Sequence, residues 1–237
     1  MTTHSSRNVF ALLLLVVSAA AHAQPAPVLT DDDRTAIQAL MGSYARALGE
    51  CRAQDFADLF VPGTGYFASG FRGHMVGRER LVALVESERH CIAPPAAGAA
   101  RPGGNGPTVA LEIAPSGVRG IANLGTAEYQ DEYTKTSGGW RFASRTVIIA
   151  AEKAAGLDAR GLLAINELRG ADLGDYYEPD QNGARRLMTS GVRVSVAGTE
   201  VTGRAFLKAG GYDDQVYEKV GSGEWRVKSS KRVGGSK

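Results

Sequence analysis

Few residues in this chain are of the kinds that carry nucleophilic or metal-dependent chemistry. Its 237 residues include two cysteines and four histidines. No Gly-x-Ser-x-Gly elbow is present, and neither His-x-x-x-His nor Cys-x-x-Cys spacing occurs. The glycine-rich segment Gly103–Gly106 precedes a proline rather than a helix, so it does not fit a phosphate-binding loop. The sequence therefore predicts no metal and no cofactor.

Charge of either sign is not in large excess. The 27 lysines and arginines nearly balance the 25 aspartates and glutamates, for a net charge of +2. Domains that bind nucleic acid carry basic stripes interleaved with aromatic residues, and no such stripe occurs here. The basic residues near the C-terminus, Lys228, Lys231 and Arg232, fit a solvated strand end. No nucleic-acid partner is predicted.

Only one long hydrophobic run occurs, and it lies at the N-terminus. Val9–Ala21 follows the positive charge of Arg7 and ends at the small-residue site Ala21-His-Ala23. A transmembrane helix needs about 20 apolar residues, so this run is too short to be one. The pattern predicts a signal peptide over residues 1–23. The mature chain is expected to be periplasmic or secreted, with no membrane partner after cleavage.

The most informative stretch is a hairpin pattern in the middle of the chain. Ala127–Lys135 alternates as a β-strand, a glycine-containing turn follows, and Trp140–Ile149 returns. Alternation places Tyr129, Asp131 and Tyr133 on one face of the first strand. That face is either the wall of a ligand pocket or the tyrosine-lined edge of a core.

The segment before this hairpin reads mainly as helices. Thr30 and the acids after it are typical of a helix start, and Ile37, Leu40 and Tyr44 recur at helical spacing. A second helix is predicted at Ala53–Phe60, and a third at about Arg78–Arg89. A strand is predicted to start at Tyr66. Helices followed by a meander of strands indicate the α+β class.

Both halves together resemble a known family. The pattern Tyr-x-Asp-x-Tyr-x-Lys at 129–135, then Gly-Trp-Arg-Phe and Arg145, is similar to the last strands of SnoaL-like domains in the nuclear transport factor 2-like superfamily. The patterns at 33–48, 55–60 and 77–81 resemble that family's three helices. The resemblance covers residues 31–150. It implies a cone-shaped, curved antiparallel sheet wrapped around three N-terminal helices.

The resemblance also implies where chemistry would take place. In ketosteroid isomerase-like members, Tyr44 matches a first-helix tyrosine that donates to an oxyanion, and Asp131 matches a pocket acid. His90 resembles an assisting histidine of scytalone dehydratase-like members. However, the sequence has Ala68-Ser69 where the isomerases carry their proton-abstracting aspartate. The expected catalytic residues are therefore Asp131, Tyr44 and His90, in a dehydratase or isomerase type of reaction.

Two functions follow from the sequence, and it does not separate them. The first is a small, largely apolar ligand held in the cone, with or without catalysis. The second is a non-catalytic binding or dimerisation module, with a homodimer formed through the open sheet face. Asp131 would then be part of a structural ion pair with Lys135, Arg141 or Arg145. The expected ligand-binding residues are Tyr66, Tyr129, Tyr133, Phe56 and Phe60.

Residues 151–237 form a β-rich extension that echoes the central hairpin. Tyr133-x-Lys135 and Trp140-Arg-x-x-Ser144 recur as Tyr217-x-Lys219 and Trp225-Arg-x-x-Ser229. The extension is therefore predicted to be a truncated repeat of the domain's last strands, which either stands apart or packs on the first sheet.

The two cysteines, Cys51 and Cys91, both follow predicted helices. Export permits a disulfide between them if the two helix ends meet. The alternative is a pair of unbonded small core residues.

Overall fold

A computed structural model describes residues 28–93, 106–114, 117–180, 182–221 and 223–234. The expected signal peptide, residues 1–23, lies outside these ranges. Within them, no helix is both long enough and apolar enough to cross a membrane.

The first helix begins where the sequence predicts. α1 spans Asp31–Gly49, and the Thr30 hydroxyl and the Asp33 carboxylate form a reciprocal capping box at its start. Its buried face presents Ile37, Met41 and Tyr44 to the sheet. The other helices are α2 (Ala53–Ala57), α3 (Arg78–Glu86), α4 (Arg89–Ile92), α5 (Ala150–Ala154) and α6 (Ala159–Glu167).

Twelve strands occur in the described residues. The first six are β1 (Tyr66–Ser69), β2 (Gly73–Val76), β3 (Ala110–Ala114), β4 (Gly117–Leu124), β5 (Ala127–Thr136) and β6 (Gly139–Ile149). The last six are β7 (Asp175–Pro179), β8 (Arg185–Ser190), β9 (Val192–Ala197), β10 (Glu200–Phe206), β11 (Tyr212–Val220) and β12 (Glu224–Val233).

The larger sheet has eight strands in the order β3-β4-β5-β6-β1-β2-β8-β7. The α+β class expected from the sequence is confirmed, with one correction: the sheet is mixed rather than purely antiparallel. β1 pairs parallel with β6, and β2 pairs parallel with β8. Strands separated by helices in the chain can pair in parallel or antiparallel. The alternation of side chains within a strand does not show which direction its partner runs.

The strands β2, β7 and β8 are not predicted by the sequence. Gly73–Val76 has four residues, which is too short for an alternation pattern to stand out from the glycine-rich turn around it. β7 and β8 come from the C-terminal extension and complete the far edge of the larger sheet. The extension therefore contributes strands to the same sheet as residues 66–149.

A β-bulge between β5 and β6 decides which residues face the helices. Tyr133 pairs with Phe142 and Glu132 pairs with Ser144, so Ala143 is the extra residue. Strict alternation would put Phe142 and Arg145 on opposite faces. The bulge brings both to the helix-facing side.

The smaller sheet has four strands in the order β12-β11-β10-β9. Its hairpin β11–β12 carries a register shift between Val216 and Tyr217, at the place that corresponds to the shift between Glu132 and Tyr133 in β5–β6. Lys219 pairs with Trp225 as Lys135 pairs with Trp140. The correspondence between the two hairpins thus extends from sequence to backbone geometry.

Two hydrophobic cores lie on opposite sides of the larger sheet. The first contains the inward face of α1, α2 and α3 against β4, β5 and β6. The second contains Ile148 of the larger sheet's outer face, Leu162 and Ile165 of α6, and the inner face of the smaller sheet. Helix α6 is therefore packed between the two sheets.

Candidate functional site

The predicted acid, Asp131, lies in the centre of the first core and is held by an arginine. Asp131 is 2% exposed, and Arg145 is 0% exposed. Arg145 donates from Nε to Oδ1 at 2.9 Å and from Nη2 to Oδ2 at 2.7 Å, a two-point contact. The Tyr133 hydroxyl donates to Oδ2 at 2.8 Å. Both carboxylate oxygens are therefore occupied by donors from this chain.

Aromatic rings enclose the guanidinium of Arg145. Its Cζ atom lies 4.0 Å from the ring centroid of Tyr44, 4.4 Å from that of Tyr129 and 4.2 Å from that of Phe142. A guanidinium stacked on ring faces is stabilised by the ring quadrupole, most strongly where water is excluded. These side chains are buried and surround the position at which the sequence expectation places a ligand.

Burial keeps the tyrosines of this cluster protonated. It raises the pKa of Tyr44 well above its usual value, and the neighbouring Tyr129 adds to the effect. Burial also raises the pKa of Tyr133, and the charge of Asp131 raises it further. For Arg145, the attraction and hydrogen bonds of Asp131 outweigh burial, so its pKa is raised. The cluster is a charged pair inside a ring of neutral phenols.

The third expected catalytic residue, His90, is not part of this cluster. Its Nε2 atom lies 2.9 Å from the backbone oxygen of Leu48, so it completes the end of α1. A disulfide joins Cys51 and Cys91 beside it, with Cα atoms 5.5 Å apart. Cys51, His90 and Cys91 offer ligand atoms within 4.8 Å of one another, but the disulfide uses both thiols.

Four of the five expected ligand-binding residues are buried residues of the first core: Phe56, Phe60, Tyr129 and Tyr133. Phe56 is 0% exposed and Phe60 is 2% exposed. Their rings lie 5.4 Å apart, and Phe60 continues to Phe142 at 5.3 Å. Both close the base of the first core instead of lining a cavity, because α2 ends at Ala57 and the chain turns back onto β6.

An open cleft lies on the other face of the larger sheet, beneath α6. Its volume is about 470 Å³. Its lining comprises Tyr66, Glu112, Arg119, Gly120, Ile121, Gln130, Asp131, Glu132, Ser144, Asp158, Ala159, Arg160 and Leu163. The Asp131 side chain is nonetheless 0% exposed and points to the first core. Two of the expected site residues, Tyr66 and Asp131, belong to this lining, and of these two Tyr66 is the one with an accessible side chain. We call this open cleft the outer cleft.

The floor of the outer cleft is polar. Burial raises the pKa of Tyr66, and a hydrogen bond with Ser144 partly offsets the shift. The Tyr66 ring contacts the His74 ring edge-on, with centroids 4.3 Å apart. Burial, with a smaller effect from Arg80, lowers the pKa of His74 to about 4, so the imidazole is neutral at pH 7.

Two buried polar atoms beside this floor have no hydrogen-bond partner among the described residues, His74 Nε2 and Thr146 Oγ1. Thr146 is 0% exposed and faces the same side of the sheet as Ile148. A buried polar group without a partner costs on the order of 1–3 kcal/mol. Such groups mark places where a water or a ligand supplies the missing bond.

The sequence places the expected site on the helix-facing side of the sheet, whereas the outer cleft lies on the opposite side. The alternation of β5 puts Gln130 and Glu132 opposite Asp131, and these are the residues that line the outer cleft. The sequence does not show where α6 packs. This helix belongs to the extension and forms the second wall of the outer cleft. Its amphipathic pattern at 159–168 is visible in sequence, but its docking site is not.

A comparison with protein families agrees with this packing of α1 against the inward face of the sheet. A model of the SnoaL-like domain matches residues 30–146. These residues are a SnoaL-like domain. No curated protein matches the chain.

Three solved structures are similar to this chain at low sequence identity. An NTF2-like protein with a cystatin-like fold from Novosphingobium aromaticivorans has 19% identity and a TM-score of 0.40, and the match covers 56% of this chain and 89% of that one. The hexachlorocyclohexane dehydrochlorinase LinA-type3 from Novosphingobium barchaimii LL02 has 18% identity and a TM-score of 0.35, covering 51% and 90%. A domain with a cystatin-like fold from Nostoc punctiforme PCC 73102 has 15% identity and a TM-score of 0.37, covering 59% and 96%. At these values the three structures assign no activity to the SnoaL-like domain.

Proposed function

We propose that this protein is an exported, non-catalytic binding module that takes a small ligand in the outer cleft. The observation that carries the proposal is the contact between Asp131 and Arg145. Both oxygens of this carboxylate are engaged by a fully buried guanidinium, so the group serves as the structural partner of Arg145 and is not presented to a substrate. It also lacks access to substrate, since the pair is shielded by three rings.

The chemistry of the outer cleft suits a ligand with a polar end and an apolar body. Tyr66 and Ser144 offer hydroxyls, and both signs of charge line the cleft: Glu112, Glu132 and Asp158 are acidic, and Arg119 and Arg160 are basic. Ile121 and Leu163 supply apolar contact on the opposite walls. The lining carries both signs of charge, which favours a ligand of low net charge.

Export is part of the proposal and rests on the N-terminal sequence. Arg7, the apolar run Val9–Ala21 and the Ala21-His-Ala23 site support it. The Cys51–Cys91 disulfide is consistent with an oxidising compartment. Mass determination of the protein recovered from its source tests this directly, and a chain that begins at Gln24 is the expected result.

Native mass spectrometry of the purified protein tests the ligand site. Leu163→Arg places a long charged side chain in the outer cleft and is expected to abolish retention of a copurified small molecule. Leu168→Arg, on the same helix segment but 42% exposed, is the matched control and should retain it. Ligand retained equally by both variants, together with loss on changing Tyr44→Phe, would move the site back to the first core and contradict the proposal.

A further inference from the structure

The outer face of the smaller sheet carries a row of charged side chains in register. Arg193, Arg204, Asp214 and Lys231 are direct neighbours on β9, β10, β11 and β12. The next row on the same face contains the hydroxyl residues Ser195, Thr202 and Ser229. These side chains line a shallow groove of about 610 Å³. We call this surface the arginine face.

Arg193 is held in an unusual position for a surface cation. Its Cζ atom lies 4.6 Å from the ring centroid of Phe71, 5.2 Å from that of Tyr176 and 5.8 Å from that of Phe206. Its Nε and Nη2 atoms donate to the Thr189 hydroxyl at 3.2 and 3.1 Å. The guanidinium plane is therefore fixed by rings and by one hydroxyl.

No carboxylate within ion-pair distance neutralises Arg193 among the described residues. Burial lowers its pKa, the negative charge of Glu178 partly opposes that shift, and the positive charges of Arg204 and Arg72 add to it. A partly desolvated cation beside other cations is unfavourable unless an anion offsets it. A fixed guanidinium with free N–H groups is suited to bind a carboxylate or sulfate oxygen.

Arg204, on the neighbouring strand β10, also lies against an aromatic ring. Its Cζ atom lies 3.9 Å from the ring centroid of Tyr212, and it donates to Asp214 at 2.9 Å. Asp214 is the one acid in the charged row, against three bases, so the row has an excess of positive charge. Both arginines present their guanidinium groups beside an aromatic ring, in a fixed orientation.

We propose that the arginine face binds an acidic polysaccharide, with Arg193 and Arg204 recognising its carboxylates. Four strands spaced about 4.8 Å apart give a binding row of about 14 Å, which suits an extended chain rather than a single small anion. The row of hydroxyl side chains matches a polyhydroxylated ligand, and the 49% exposed ring of Phe71 beside Arg193 adds apolar contact for a sugar. This inference uses a different surface from the outer cleft and does not depend on it.

Two other classes of polyanion fit the face less well. A membrane surface would require a group of apolar side chains that enter the lipid beside the cations, and this face offers Phe71 beside Arg193 and Val216 in a mainly polar groove. Nucleic acid would require more phosphate contacts than three cations can supply, since affinity rises with each phosphate neutralised. The chemistry of the face therefore favours a glycan.

Affinity electrophoresis in gels that contain polygalacturonate tests the proposal, with neutral dextran gels as the reference. Polygalacturonate is expected to retard the protein and dextran is not. The double change Arg193→Gln and Arg204→Gln should weaken binding by about tenfold or more, as for two lost charge-assisted contacts. Arg78→Gln is the matched control: it also removes an exposed arginine with a carboxylate partner, and should bind like the wild type.

Circular dichroism melting of each variant establishes that it is folded. If the double variant melts at lower temperature, Lys231→Gln, at the exposed end of the row, replaces it with an expected smaller loss. Equal retardation of the double variant and Arg78→Gln would overturn the proposal, as would absence of retardation of the wild type. Binding to anionic vesicles or single-stranded DNA as tight as to polygalacturonate would also overturn it, because the face would then be a general polyanion surface.

Discussion

At the scale of single residues, the stability of the first core depends on the ion pair between Asp131 and Arg145. Neither charge could remain in the first core alone, because taking an unpaired ion out of water costs several kcal/mol. The bulge at Ala143 turns Arg145 toward Asp131, and three rings then enclose the pair. The sequence predicts an acid at Asp131 on a tyrosine-lined face and offers Arg145 as one of three candidate ion-pair partners. Which candidate base pairs with Asp131 is decided by the register of β5 against β6.

Removing one partner of this pair is expected to destabilise the folded protein strongly. Asp131→Asn should lower the free energy of unfolding by about 3–5 kcal/mol, because it leaves the buried charge of Arg145 uncompensated. Denaturant titration followed by circular dichroism measures this. Asp58→Asn is the matched control: it breaks an exposed ion pair with Arg78 and should cost no more than about 1 kcal/mol. A stable Asp131→Asn protein would show that the pair is not structural.

Titration of His74 predicts a specific pH dependence. Its pKa is lowered from 6.5 to about 4 in the folded protein, so the unfolded chain binds the proton more readily. Its contribution to stability is therefore complete above pH 6.5 and is lost as pH falls toward 4. The loss should be on the order of 2–3 kcal/mol. Denaturant titrations at pH 7.5 and 4.5 should show a smaller difference for His74→Gln than for the wild type. An identical difference in both proteins would mean that His74 is accessible to solvent protons.

At the scale of elements, helix positions follow from local signals and strand partners do not. The cap at Thr30 and the apolar spacing of α1 predict that helix within a residue of its observed start. The hairpins β5–β6 and β11–β12 likewise follow from alternation and glycine turns. By contrast, β2 and β8 meet in parallel across more than a hundred residues of chain, and no local pattern encodes that contact.

The Cys51–Cys91 disulfide connects the end of α1 to α4 and closes a loop with a sequence separation of 40. Loop-closure entropy for that length predicts about 4 kcal/mol of stabilisation. Replacing both cysteines by serine should lower the unfolding free energy by about that amount, measured in guanidinium without reductant. Addition of reductant should bring the wild type to the same value and leave the variant unchanged. Unequal end points would indicate that serine substitution perturbs the helix ends by itself.

At the scale of the whole molecule, the extension forms a single unit with the SnoaL-like domain. β8 pairs with β2, and α6 packs against Ile148. Part of the outer sheet face is thus covered by the chain itself. Ile121 and Leu124 remain exposed on β4, so a homodimer through the uncovered part of the sheet stays a prediction.

Truncation tests how far the two parts depend on each other. A chain that ends at Ala150 lacks α6, β7 and β8, and would expose Thr146 and Ile148, which are now 0% and 1% exposed. It should be largely insoluble or aggregated in size-exclusion chromatography, because an unpaired edge strand and an apolar face are left open. Co-expression of residues 151–237 as a separate chain should restore solubility. A truncated chain that is monomeric and unfolds cooperatively would show that residues 31–150 are independent.

The sequence by itself determined the class of fold, the helices and the two hairpins, because these depend on the periodicity and capping of neighbouring residues. It also identified Asp131 as a buried acid beside tyrosines. Only the tertiary structure decided that this acid is bonded to Arg145, that Phe56 and Phe60 are core residues, and that the open cleft lies on the opposite face. Each of those outcomes depends on a bulge or on a contact between segments distant in sequence, and such contacts leave no local signal in the chain.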